Sequence, residues 1–134
     1  MEKVVFACVH SAGRSQMAAA LFNQLADPAR VHGLSAGTQP AERVHPIVVE
    51  AMQEIGLDLS KNQPQKLTDE LARGASLLVT MGCGDDCPFV PGLARDDWPL
   101  DDPKERSIAE VRLIRDDIRD RVLSLVNSHG WSRQ

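Results

Sequence analysis

The chain has 134 residues, the size of one ordinary domain, which we take as a single unit over residues 1–134. It is 43% hydrophobic and 25% charged, which excludes a disordered or collagen-like chain. Its net charge is -4, with no Tyr, three Phe and two Trp, so neither a basic patch nor an aromatic base-stacking surface for nucleic acid is expected. No apolar run approaches the ~20 residues of a membrane span. The first ten residues lack the apolar stretch and cleavage site of a signal peptide. A cytoplasmic protein without membrane contact is expected. Three Cys in such a chain point to reactive thiols rather than a structural disulfide framework.

The β-branched run from Lys3 to Val9 reads as a buried strand. Ser15 to Ala26 carries Met17, Ala18, Leu21, Phe22 and Leu25 at helical spacing, and Pro28 stops it. Val31 to Ala36 is a second strand. Ile47 to Ile55 is a helix with Pro46 at its start and Gly56 just past its end. Thr68 caps a short helix to Arg73. Ala75 to Met81 is a third buried strand.

Gly82 to Lys104, rich in Gly, Pro and Asp, reads as a functional loop with a short fourth strand near its end. Ser107 to Ser128 is a long amphipathic helix. Val111, Ile114, Ile118, Val122 and Leu125 form its apolar face, and Arg115, Asp116, Arg119 and Asp120 its polar face. Strands alternating with helices imply an α/β domain: three layers, a four-stranded parallel sheet with helices on both faces.

Cys8-Val9-His10-Ser11-Ala12-Gly13-Arg14-Ser15 carries the most chemical information. It leaves a predicted strand and opens a predicted helix. Backbone N–H groups converge in such a turn, and the helix N-terminus adds positive potential, which suits a tetrahedral oxyanion. Gly13 permits close backbone approach, and the planar fork of Arg14 can grip two oxygens. An anionic sulfur at Cys8 is favoured by that potential, with the Ser15 hydroxyl as a further donor. A lone Cys at a strand end is usually a buried structural thiol. The spacing Cys, five residues, Arg, Ser between strand and helix reverses that reading. His10 fits either a loop filler or a polar lining residue.

Cys83 and Cys87 have three residues between them. Three readings fit: half of a zinc site, an incidental pair, or a redox pair. A zinc site needs four ligands, usually in paired clusters, and the four His are scattered. In a helical turn the two Cα atoms would lie about 6 Å apart, within the range of a disulfide.

Residues 8–18, Cys8 to Ala18, resemble the phosphate-binding loop of the low-molecular-weight protein tyrosine phosphatase fold. The stretch Arg14-Ser15-Gln16-Met17-Ala18 resembles its arsenate reductase branch. The similarity continues in Gly33-Leu34-Ser35-Ala36-Gly37, His45-Pro46, Ile55 to Ser60, Met81-Gly82-Cys83 and Trp98 to Pro103, and so covers nearly the whole chain.

The resemblance implies an arsenate reductase. Val9 to Ser15 would bind arsenate, with phosphate or sulfate as competing oxyanions. Cys8 would be the nucleophile, Arg14 the anion grip and Asp102, directly before Pro103, the general acid. Asp101 is the fallback acid, and Asp96 and Asp97 read as solvated loop charges. Cys83 and Cys87 would complete a disulfide relay recycled by thioredoxin, and no metal or cofactor is implied. Arsenate reduction needs two electrons, which two thiols supply on becoming a disulfide. A phosphatase needs only the first thiol.

Three departures from the family pattern stand out. Ser11 occupies a position that commonly holds Asn. Ala19 replaces an acid that helps form a potassium site in some relatives, so no potassium dependence is expected. The Cys83–Cys87 spacing is shorter than in some relatives. The alternatives are transfer to mycothiol or glutathione, a tyrosine phosphatase, and a non-catalytic oxyanion-binding protein. The acid loop offers only Trp98 to hold a substrate ring, and pure binding needs no nucleophile.

Overall fold

A computed structural model describes residues 1–82 and 91–133. Four strands, β1 (Glu2–Cys8), β2 (Val31–Gly37), β3 (Leu77–Thr80) and β4 (Ala94–Asp97), form one sheet in the order β2-β1-β3-β4. Every pairing is parallel. β1 is central and buried from Val4 to Cys8, which explains its continuous apolar run.

Alternation along β1 divides the core. Val4, Phe6 and Cys8 face the larger cluster, with Met17, Leu21 and Phe22 of α1 (Arg14–Leu25), Val48 and Met52 of α2 (Pro46–Gln53) and Ile118 and Val122 of α4 (Ile108–Ser128). Val5 and Ala7 face a smaller cluster with Ala36, Leu67 and Leu78. There α3 (Asp69–Arg73) contributes Leu71 to a thinner layer. Helices cover both faces, as the sequence implies.

Local signals explain the helix starts. Pro46 sits in the first turn of α2. The Thr68 side chain accepts a hydrogen bond from the Leu71 amide. Ser107 and Glu110 form a reciprocal capping box on α4. Two polar assignments need correction. Arg115 is buried rather than on the polar face, because its Nη1 donates to the Ala51 carbonyl at the end of α2 (2.8 Å) and to Glu54 (2.9 Å). Asp96 and Asp97 are not loop charges: both lie in β4. Asp97 accepts from Thr80 Oγ1 (2.7 Å), and Asp96 accepts from the Trp98 indole N–H (3.0 Å).

Trp98 follows β4 directly, and its amide donates to the Thr80 carbonyl. Its ring is buried against Phe6, with centroids 5.8 Å apart. This anchors the segment that carries Asp101 and Asp102 at the carboxyl end of the sheet, where open parallel sheets bind ligands.

Candidate active site

Residues 8–15 connect the carboxyl end of β1 to the amino end of α1. The loop's shape follows from where its carbonyls go. Cys8, Val9, His10 and Ala12 carbonyls accept from the amides of Thr38, Gln39, Ala41 and His45 at 3.2, 2.7, 2.9 and 2.9 Å. The Ser11 carbonyl accepts from Gln16 Nε2 (2.9 Å), and the Gly13 carbonyl from the Met17 amide (3.0 Å). A trans peptide points its C=O and N–H in opposite directions. With the carbonyls drawn outward, the amides of residues 9–14 turn toward the loop's interior. Gly13 precedes α1 without a side-chain cap, and the first turn of α1 has no acidic residue. That leaves the helix's positive end open to the loop.

Cys8 lies at the base of this ring, 2% exposed. Its Sγ is 2.9 Å from Ser15 Oγ, which is 2.7 Å from Ser35 Oγ, which is 2.7 Å from Ser11 Oγ. The outer end of this buried chain meets only donors: the Gln65 amide at 3.4 Å and Gln16 Nε2 at 3.5 Å. Each hydroxyl has one proton, so donation at the outer end directs the chain inward, from Ser11 to Ser35 to Ser15 to sulfur. Cys8 Sγ is then the acceptor at the inner end of the chain. Ser11 itself has a left-handed φ of 53°, uncommon for a residue other than Gly or Asn. Its contacts with Ser35, Gln16 and Gln65 hold it there, so the shorter side chain still ties the loop.

Arg14 is 8% exposed at the start of α1. Its Nη1 donates to the Leu100 carbonyl (3.1 Å), and its Nη2 lies 3.8 Å from Asp102 Oδ2. Asp102 is partly exposed, and its other oxygen accepts from the Lys104 amide at 3.0 Å. Pro103 packs on Gly13 so closely that a Cβ on Gly13 would lie 2.7 Å from the proline ring. Asp101, in contrast, is exposed.

The structure thus brings Cys8, Arg14, Ser15 and Asp102 to one place, with Val9, His10, Ser11, Ala12 and Gly13 forming the ring. Cys83 and Cys87 lie outside the described residues. His10 Nδ1 is 3.0 Å from the Gln39 carbonyl, a loop-bracing contact. Among the described residues, no group of three or more His, Cys, Asp or Glu is placed to hold a metal ion. A cavity of about 430 Å³ behind the loop is lined by Gln16, Ala19, Ser35, Asn62 and Gln65 among others, and among the described residues no carboxylate lines it.

Sequence reasoning missed Ser35, Gln16 and His45 as site residues. Ser35 sits in a β-strand with no local sign that its hydroxyl reaches the loop. Gln16 lies inside the motif, but only the fold shows its amide turned back to Ser11. His45 precedes α2, with its ring edge 3.5 Å from a Cβ position on Gly13. Burial pushes its pKa below the usual imidazole value, opposed by Asp102 and reinforced by His10 and Lys104.

Residues 3–130 match the family described as low molecular weight phosphotyrosine protein phosphatase. The chain belongs to this family. Its similar members include reductases. A solved thioredoxin-dependent arsenate reductase from Corynebacterium glutamicum is 40% identical, with a TM-score of 0.83 over 97% of this chain. The present chain spans 62% of that longer chain. An arsenate reductase from Staphylococcus aureus is 33% identical over 87% of this chain and 89% of its own. A glutaredoxin arsenate reductase from Synechocystis is 30% identical over 94% of this chain and 97% of its own. Among the described residues of this family member, no helix is long and apolar enough to cross a membrane.

Proposed function

We propose that this family member is an arsenate reductase. The observation that carries the reading is the ring of inward amides around Cys8, which suits a tetrahedral oxyanion, with Arg14 and Asp102 at its mouth. The reductase names of its similar relatives favour arsenate over a phosphate ester.

In this reading arsenate binds the amides of residues 9–15 and the Arg14 fork. The Cys8 thiolate attacks arsenic, and Asp102 gives its proton to the departing oxygen, which leaves as water. The Cys83 thiolate then attacks Cys8 Sγ. The sulfur–arsenic bond breaks with its electron pair staying on arsenic, so arsenic(V) becomes arsenic(III) and a Cys8–Cys83 disulfide forms. Cys87 attacks Cys83, freeing Cys8, and an external dithiol of the thioredoxin class reduces Cys83–Cys87. Protons taken from the incoming thiols balance the thiolates released.

A second donor reading rests on the Synechocystis relative, whose name couples it to glutaredoxin. There glutathione or mycothiol attacks the adduct and leaves a mixed disulfide for a glutaredoxin-like protein. Arsenate reduction assayed with a thioredoxin system, and separately with each small thiol plus its partner protein, tests both. In the relay, Cys83→Ser stops arsenite release, and Cys87→Ser gives one turnover and traps Cys8–Cys83. Sustained turnover of both variants with a small thiol would rule the relay out. No activity with any donor would remove the reductase reading. Potassium should leave the rate unchanged, since no carboxylate among the described residues lines the cavity beside Ala19.

A further inference from the structure

We propose that Gly82 is a positioning residue for the oxyanion, because its bare α-carbon is the seat on which the Arg14 guanidinium lies. A Cβ at Gly82 would stand 3.2 Å from Arg14 Cζ and closer still to Nη1. Nη1 is the nitrogen that donates to the Leu100 carbonyl, while Nη2 faces Asp102.

Neither side of this contact can yield freely. Arg14 is almost fully buried, held between Gly82 and the segment carrying Leu100 and Asp102. Gly82 follows Met81, which is itself buried and donates its amide to the Ala7 carbonyl of β1 at 2.7 Å. The seat is therefore tied to the centre of the sheet. A side chain there would push the guanidinium off its line with the loop, and a planar bidentate grip tolerates little displacement. Gly82 also has φ +99°, so Gly is needed there for two separable reasons: the backbone angle and the space above it.

The proposal rests on the oxyanion reading of the loop but not on which reaction follows. The test uses the reduced protein and inorganic phosphate, with phosphate affinity read from protection of Cys8 against alkylation, mapped by peptide mass. Gly82→Ala should weaken phosphate on the order of 10- to 100-fold, as for loss of charged hydrogen bonds. Gly82→Asn tolerates a positive φ yet keeps a Cβ, and should show the same loss. Gly82→D-Ala, made by ligation at the 82–83 junction, favours positive φ and points its methyl away from Arg14. It should bind phosphate like the unaltered protein. In an Arg14→Met background, Gly82→Ala should cost nothing further.

Wild-type affinity in both Gly82→Ala and Gly82→Asn would overturn the proposal. So would equal losses for L- and D-alanine, or an undiminished loss in the Arg14→Met background. Phosphate protection that follows the expected pattern without any arsenate turnover would support the seat and remove the reductase reading.

Discussion

The anion loop and the acid segment face each other across Arg14, and they are held in different ways. The carbonyls of residues 8–13 are each tied to the surrounding fold or to α1, and the Cys8 side chain sits at the end of a buried hydroxyl chain. The acid segment is anchored at Trp98 and by Leu100, which packs against the main core, and it also meets the loop: the Leu100 carbonyl on Arg14, Pro103 on Gly13 and Asp102 beside Arg14. Asp102 is also far more exposed than Arg14. The nucleophile's position is therefore a property of the sheet and α1, whereas the acid's position depends in part on the loop. Changes at the loop should damage both regions, and changes at the acid should leave the loop intact.

The sharpest break is at Cys8. Cys8→Ser should abolish arsenate turnover, since a hydroxyl without a dedicated base is a poor nucleophile at neutral pH. Its melting temperature should stay near that of the parent, because the change is nearly isosteric in a site already rich in hydroxyls. Measurable reduction by the folded variant would end the proposed mechanism.

Asp102→Asn isolates the acid side. Adduct formation should slow by ~10²–10⁴-fold, the usual worth of a general acid. Thiol–disulfide exchange and phosphate affinity should stay close to the parent's. Single-turnover kinetics separates these steps. Asp101→Asn should change little, because Asp101 is exposed and Asp102 is the carboxylate beside Arg14. The opposite pattern would shift the acid by one residue.

Ser35→Ala tests the claim that the loop is held from the fold behind it. Losing the middle hydroxyl leaves Ser11 and Ser15 each short of a buried partner, a loss of ~1–3 kcal/mol in stability. A purely structural role would stop there. In the directional chain, Ser15 also loses the donor that turns its proton toward sulfur, so Cys8 alkylation at fixed pH should slow as well. An unchanged alkylation rate would show that the chain does not act on Cys8.

The same contrast explains what the sequence could disclose. β1, the loop and the start of α1 are contiguous, so strand pattern, Gly13, Arg14 and Ser15 announce the site within eight residues. β4 is Ala94-Arg95-Asp96-Asp97, exposed throughout and without apolar alternation. Only its parallel pairing with β3 makes it a strand, and pairing is not written locally. Ser35 reaches the loop from β2, and Arg115 turns inward because the last carbonyls of α2 need donors. The sequence implies a fourth strand without its bounds, and it hides the parts played by Ser35 and Arg115; in each case the partner is supplied by another element.

The smallest expected effect lies far from both regions, and it checks that α2 contributes through His45 rather than through its far end. Arg112 and Arg115 both donate to Glu54, just past the end of α2, and these bonds hold its carboxyl down at about 2 against an ordinary 4.5. The folded state therefore favours the ionised form. Its stabilising effect is complete above pH 4.5 and is lost as pH falls toward 2. Glu54→Gln should melt slightly below the parent at pH 7, by the same margin at pH 6, and by a shrinking margin below pH 4.5. Added salt should shrink that margin too, since the carboxylate is at the surface. Phosphate affinity should not change, because the start of α2 is fixed separately by the bond from the His45 amide to the Ala12 carbonyl. A margin independent of pH would show that the ion pairs do not contribute, and a loss of phosphate affinity would show that the far end of α2 does reach the loop.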